Sequence, residues 1–275
     1  MGSLCRLIGA AFPALLAFTA AAHAESPPEP IALRLTYDGR LLIKVLDIQI
    51  DARADAQAFS AEARLNSYGV LNLFRRVDNR SSAQGRVAEA GGQPRAWPHV
   101  FRSRNVDAKG VRSVVVTWTG ADVVTEAVPG YHGHLGDPPA SRAQRLEAAD
   151  PLTAMMRIAL TRDEAELCRG SVRFFDGKQR YDLEFVDRRP GALNPHEKRL
   201  GLTRALRCQV RFHELAGFSR KPPDQRNQGL KKPVTLTFGR LGAEGPWLIS
   251  AIEAETPLGH ARVELQRVGQ LYPGG

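Results

Sequence analysis

Cys168-Arg169-Gly170-Ser171-Val172-Arg173-Phe174-Phe175-Asp176-Gly177-Lys178-Gln179-Arg180-Tyr181-Asp182-Leu183-Glu184-Phe185 carries two short runs of strand type around an Asp-Gly pair. An Asp-Gly pair between such runs signals a hairpin, because a type I′ turn needs positive φ at both central positions. Further on, Leu206, Val210 and Phe212 alternate with Arg207, Gln209 and Arg211. Period-two alternation makes this a third strand and places Cys208 on its buried side. We read Cys168 and Cys208 as a disulfide that pins the hairpin to the strand after it.

The bridge depends on compartment. Residues 1–24 read as a secretory signal peptide. Arg6 supplies the positive region, residues 7–22 the apolar run, and Ala22-His23-Ala24 the cleavage site. Cleavage would start the mature chain at Glu25, leave residues 25–275 as a single β-rich periplasmic domain, and remove Cys5. The two remaining cysteines then make one pairing, as the oxidising periplasm of a Gram-negative bacterium permits. No second run approaches membrane-spanning length.

The formal charge is +9, with 38 Lys+Arg against 29 Asp+Glu and a pI near 9.9. Export argues against a nucleic-acid partner and leaves an anionic envelope surface or envelope protein as partners of a basic chain. The arginines are scattered with acids between them, which also fits ordinary solvated faces.

Residues 31–37 and 40–51 read as strands joined through Asp38-Gly39, and 59–65 as a third. Residues 67–77 change to helical spacing, with Val70, Leu71, Phe74 and Val77 apolar and Ser67 able to cap. Strand patterns return at 81–90, 97–105 and 111–119. A Gly- and Pro-rich loop over 128–140 holds His132 and His134. H-x-H spacing suits a metal only on a strand and with further ligands, so no metal site or cofactor is expected.

Asp150 is a good N-cap, Pro151 fits the first helical position, and Leu152, Met155, Met156 and Ala159 lie on one face. That face is either core or the wall of a ligand cavity. Strands at 233–240, 247–255 and 260–268 close the chain. About a dozen strands and few helices predict one large curved antiparallel sheet, a half-barrel or spiral with one or two short helices packed on it. A β-sandwich is the alternative.

Asp150-Pro151-Leu152-Thr153-Ala154, the 175–183 hairpin, Ala205-Leu206-Arg207-Cys208 with Leu215-Ala216-Gly217-Phe218, Pro233-Val234 and Thr256-Pro257-Leu258-Gly259 carry a resemblance. The chain resembles an uncharacterised bacterial exported family, domain of unknown function 3108. Thr153 stands where that family more often has Ser. The resemblance covers most of residues 150–265 and implies export and fold but no activity. By architecture alone the chain is also similar to periplasmic lipoprotein carriers.

No G-x-S-x-G, H-E-x-x-H or phosphate-cradling glycine loop occurs. Asp176 and Asp182, and His99, Ser103 and Asp107, are the acid–base combinations the sequence offers. Turn and strand roles account for the first two, and nothing joins the other three. The expectation is a non-enzymatic envelope protein. It either holds an apolar or lipid-like ligand in the concave sheet, near Leu152, Met155 and Met156, or scaffolds an envelope partner through a basic face.

Overall fold

The computed structural model describes residues 30–67, 69, 77–107, 110–130, 138–218, 232–256 and 259–271. Thirteen strands form one sheet in the order β7-β6-β5-β4-β3-β2-β1-β13-β12-β11-β10-β9-β8. They are β1 (Ile31–Arg40), β2 (Lys44–Ala54), β3 (Ala58–Ser67), β4 (Asp78–Ala90), β5 (Gln93–Asp107), β6 (Gly110–Trp118) and β7 (Val123–Val128), then β8 (Ser171–Phe175), β9 (Arg180–Gly191), β10 (Leu202–Ala216), β11 (Val234–Leu241), β12 (Trp247–Thr256) and β13 (Gly259–Gln270). Every strand pair is antiparallel, and β1 pairs with both β2 and β13, so the two chain ends of the sheet meet in its middle. A single continuous ladder rules out the sandwich.

A sheet of this size must curl to bury one face. Its outer strands, β7 and β8, do not pair with each other. The β8–β9 turn instead packs against inward-facing valines: a Cβ on Gly177 would lie 2.9 to 3.2 Å from Val114 and Val116. One end of the sheet thus tucks inside the other, as in a spiral. Residues 138 and 149 lie at the seam, since Ala149 bonds to Arg173 and Phe175 of β8 and Gly217 N–H donates to Pro138 O.

Alternation builds the inner face. Leu33, Leu35 and Tyr37 of β1, Ile50 and Ala52 of β2, and Phe59 and Ala61 of β3 belong to the main apolar cluster. Helix α2 (Pro151–Leu160) fills the concave side and packs on β3, β4, β5, β8 and β12. The Asp150 carboxylate accepts from Leu152 N (3.0 Å), Thr153 N (2.9 Å) and Thr153 Oγ1 (2.5 Å). Those bonds satisfy donors that a helix start leaves open. Burial raises the Asp150 pKa despite them.

Cys168 and Cys208 form the expected disulfide, with α-carbons 6.1 Å apart, inside the usual bridging range. It anchors a second cluster with Leu206, Val210, Leu236, Phe238 and Trp247.

Several local expectations need correction. Asp38-Gly39 is not a turn: both residues lie within β1, and the hairpin tip is at 41–43. Gly39 is needed there because a Cβ would sit 2.7 Å from the Leu46 Cβ across the ladder. The turn after β8 is not type I′. Phe175 pairs with Arg180, leaving four loop residues, and Gly177 alone of them has positive φ. Asp176 makes that loop by accepting from Lys178 N (2.9 Å) and Gln179 N (2.7 Å). Strand β7 and the short helices α1 (Arg142–Leu146) and α3 (Pro195–Arg199) had not been anticipated. The helix expected over 67–77 falls almost wholly outside the described residues, as do His132, His134 and the leader. Ser67 itself ends β3, and its hydroxyl accepts from Val77 N (2.6 Å).

Candidate functional site

A β-bulge starts the site. Between β4 and β5 the register shifts so that Gly85 faces Pro98 and Gln84 faces Val100, leaving His99 as the extra residue. An inserted residue bends its strand and re-aims neighbouring side chains. Only glycine fits at 85, where a Cβ would meet Trp97 O at 2.0 Å and the Phe59 ring at 2.5 Å. The bulge lies beside a cleft of about 800 Å³ between β4–β6 and the α1–α2 connection. Trp97, Pro98, Trp118 and Leu146 give it apolar wall, and Arg86, Arg95 and Arg157 give it charge.

A second cleft of about 820 Å³ adjoins the first, because Arg95, Glu147 and Arg157 line both. Its floor reaches the disulfide cluster through Ile158, Leu167, Cys168, Phe185 and Phe238. Volumes of this size are in the range of small-ligand sites.

Most charges around the two clefts are matched. Glu147 pairs with Arg173 at 2.5 Å and Glu166 with Arg169 at 2.9 Å. The Asp163 carboxylate accepts from Ala165 N at 2.8 Å. Arg95 lies 5.1 Å from the centre of the Trp97 ring, in cation–π range. Arg157 projects from α2, and its Nε donates to Ala96 O at 2.9 Å. Among the described residues no carboxylate pairs with Arg86, Arg95 or Arg157. Burial, and after it the nearby Arg95 charge, lower the Arg157 pKa to about 10, while the Asp150 charge acts in the opposite direction. The Trp118 indole N–H is buried without an acceptor among the described residues. The arrangement suits binding: apolar rings beside guanidiniums that form no ion pair among the described residues.

The helix face expected to be core or ligand-facing lies elsewhere. Leu152 and Met156 are buried in the main cluster, with Met156 only 1% exposed, and Met155 packs partly buried against it. None of the three lines either cleft. Position 157, next along the same helix, reaches the site. His99 lines the first cleft, but Ser103 and Asp107 do not. Ser103 lies four and Asp107 eight residues farther along β5, about 13 and about 26 Å at strand rise. Ser103 Oγ is held by Asn79 (3.0 Å) and Ser81 (3.1 Å). Asp182 pairs with buried Arg180, which also donates to Gln144 O at 2.9 Å across the seam. Sequence reading missed Arg95 and Arg157. The one available signal was a charged residue directly after Met155 and Met156 in an otherwise apolar helix.

Among the described residues no helix is long and apolar enough to cross a membrane. No family model matches the chain, and no curated protein does. Among solved structures it is similar to a beta-barrel-like protein of domain of unknown function DUF1849 from Brucella abortus. That likeness covers 88% of this chain and 98% of that one, at 10% identity and a TM-score of 0.48, and carries no information on chemistry.

Proposed function

We propose that this is a non-enzymatic, exported cell-envelope protein that binds an apolar or lipid-like ligand in the paired clefts beside α2. The reading places the protein in the periplasm after removal of residues 1–24 and keeps the likeness to the exported family as part of the same proposal. One observation carries it. Helix α2 fills the concave side of the open sheet, yet two adjoining clefts of about 800 and 820 Å³ stay open along it, with tryptophan and aliphatic walls. The ligand therefore lies beside the helix rather than on its Met155 face.

The test is titration of the mature protein with 11-(dansylamino)undecanoic acid, following dansyl emission under tryptophan excitation. Saturable binding at micromolar concentration is expected. Trp97→Ala should weaken it about tenfold or more. Met155→Ala, outside the clefts, should leave the affinity unchanged. No binding up to about 100 µM (~5.5 kcal/mol) would remove the reading. So would loss of binding in Met155→Ala with Trp97→Ala unaffected. Native mass spectrometry showing a stoichiometric protein partner and no small ligand would favour a scaffold.

A further inference from the structure

The clefts combine apolar walls with a charge imbalance that the fold itself does not use. Arg95 comes from β5 and Arg157 from α2; both line both clefts, and the Arg95 charge disfavours that of Arg157. Like charges held together oppose folding unless something compensates, and the Asp150 charge offsets this for Arg157 only in part. Solvent covers exposed Arg95, but Arg157 is half-buried, with one N–H committed to Ala96 O. The acids that line the clefts have partners: Glu147 with Arg173, Glu166 with Arg169, and Asp163 with Ala165 N–H, while Asp150 caps the start of α2. Arg157 stands where the two clefts meet, with Arg86 on the wall of the first.

We propose that Arg95 and Arg157 form a subsite for the anionic head group, carboxylate or phosphate, of an amphipathic ligand whose apolar part lies in the adjoining clefts. Guanidinium forks suit both anions because they donate two parallel hydrogen bonds to a pair of oxygens. Bound there, the anion would be an ion-pair partner that both arginines share. This inference rests on the binding function proposed above and names the class of ligand.

The experiment compares 11-(dansylamino)undecanoic acid with its methyl ester, which keeps the chain and loses the charge. In the wild type the acid should bind about tenfold tighter or more. In Arg157→Met that preference should fall to near one, with ester affinity little changed. Arg157→Lys should recover part of it. Arg95→Gln, at an exposed position, should reduce the preference by about threefold to tenfold. Equal binding of acid and ester to the wild type would overturn the anion subsite while leaving the cleft as a ligand site. An unchanged preference in both Arg157→Met and Arg95→Gln would also overturn it. Failure of both probes to bind would remove the subsite together with the reading it rests on. Displacement of the acid by inorganic phosphate at comparable concentration would support the subsite with free phosphate as its source.

Discussion

The two wings of the sheet treat their arginines differently. In the C-terminal wing, β9–β13, they build the fold. Glu253 accepts from Arg207 and Arg262 at 2.6 Å each, and Arg262 also reaches Glu264 at 2.8 Å. Glu164, before β8, ties down Arg204 at 2.8 Å and Arg188 at 3.5 Å. In the N-terminal wing, β3–β6, arginines stand beside arginines. Arg64 is opposite Arg80, and Arg80 is opposite Arg104. Among the described residues none of these three forms an ion pair. Like charges directly opposite on a sheet destabilise it. One wing thus uses charge for cohesion, and the other carries charge that its own packing does not need. Both candidate anion-binding arginines of the cleft belong to, or point toward, that second wing.

The disulfide tests the cohesive wing hardest. Its closed loop spans 40 residues, for which chain entropy gives about 4 kcal/mol. Cys168→Ala/Cys208→Ala should lower the urea midpoint accordingly. A shift close to zero would mean that the second apolar cluster holds this wing without the bridge.

Glu253→Ala should come next, at about 1–3 kcal/mol. It leaves Arg207 without its carboxylate and Arg262 with Glu264 alone, but both guanidiniums are partly exposed, so the loss stays below that of a fully buried pair. If Glu253→Ala proved as neutral as a solvated surface change, the contrast between the wings would fail.

Asp150 sits between the wings, and its effect is read as a slope against pH. Burial raises its folded pKa above the unfolded value near 4. The folded state therefore binds the proton more tightly. This contribution is complete below the unfolded pKa and is lost as pH rises through the folded one. Asparagine keeps the N-cap acceptor and cannot ionise. The stability advantage of Asp150→Asn over wild type should widen as pH rises from about 4, and parallel urea midpoints across that range would refute the sign.

The smallest expected effect has the opposite direction. Arg80→Ala removes the middle member of the arginine row and should stabilise by a few tenths of a kcal/mol, more at low salt. A clear destabilisation would show that the row has an internal partner after all.

Much of the strand content was legible because alternation is local. Leu46, Ile48 and Ile50, or Leu206, Cys208 and Val210, show their buried side within five residues, and a strand side has period two wherever it lies. Asp150 and Pro151 likewise announce α2 by themselves. The turn at Asp38-Gly39 was misread because turn chemistry is also local. What keeps those residues in a strand is Leu46 and β13, which the residues around Gly39 do not reveal.

Sequence alone determined a β-rich chain with one cysteine pair near its centre and a capped helix at Asp150, since these follow from neighbours a few positions apart. Only the tertiary structure decided which way the sheet coils past itself, that clefts stay open beside α2, and which arginines among the described residues remain without an acid. The partners of these arginines meet them only after folding: Arg157 reaches the Ala96 carbonyl across 61 positions, and Arg207 reaches Glu253 across 46. No window of sequence contains both members of such pairs, so neither the matched wing nor the unmatched cleft could be seen before the chain was folded.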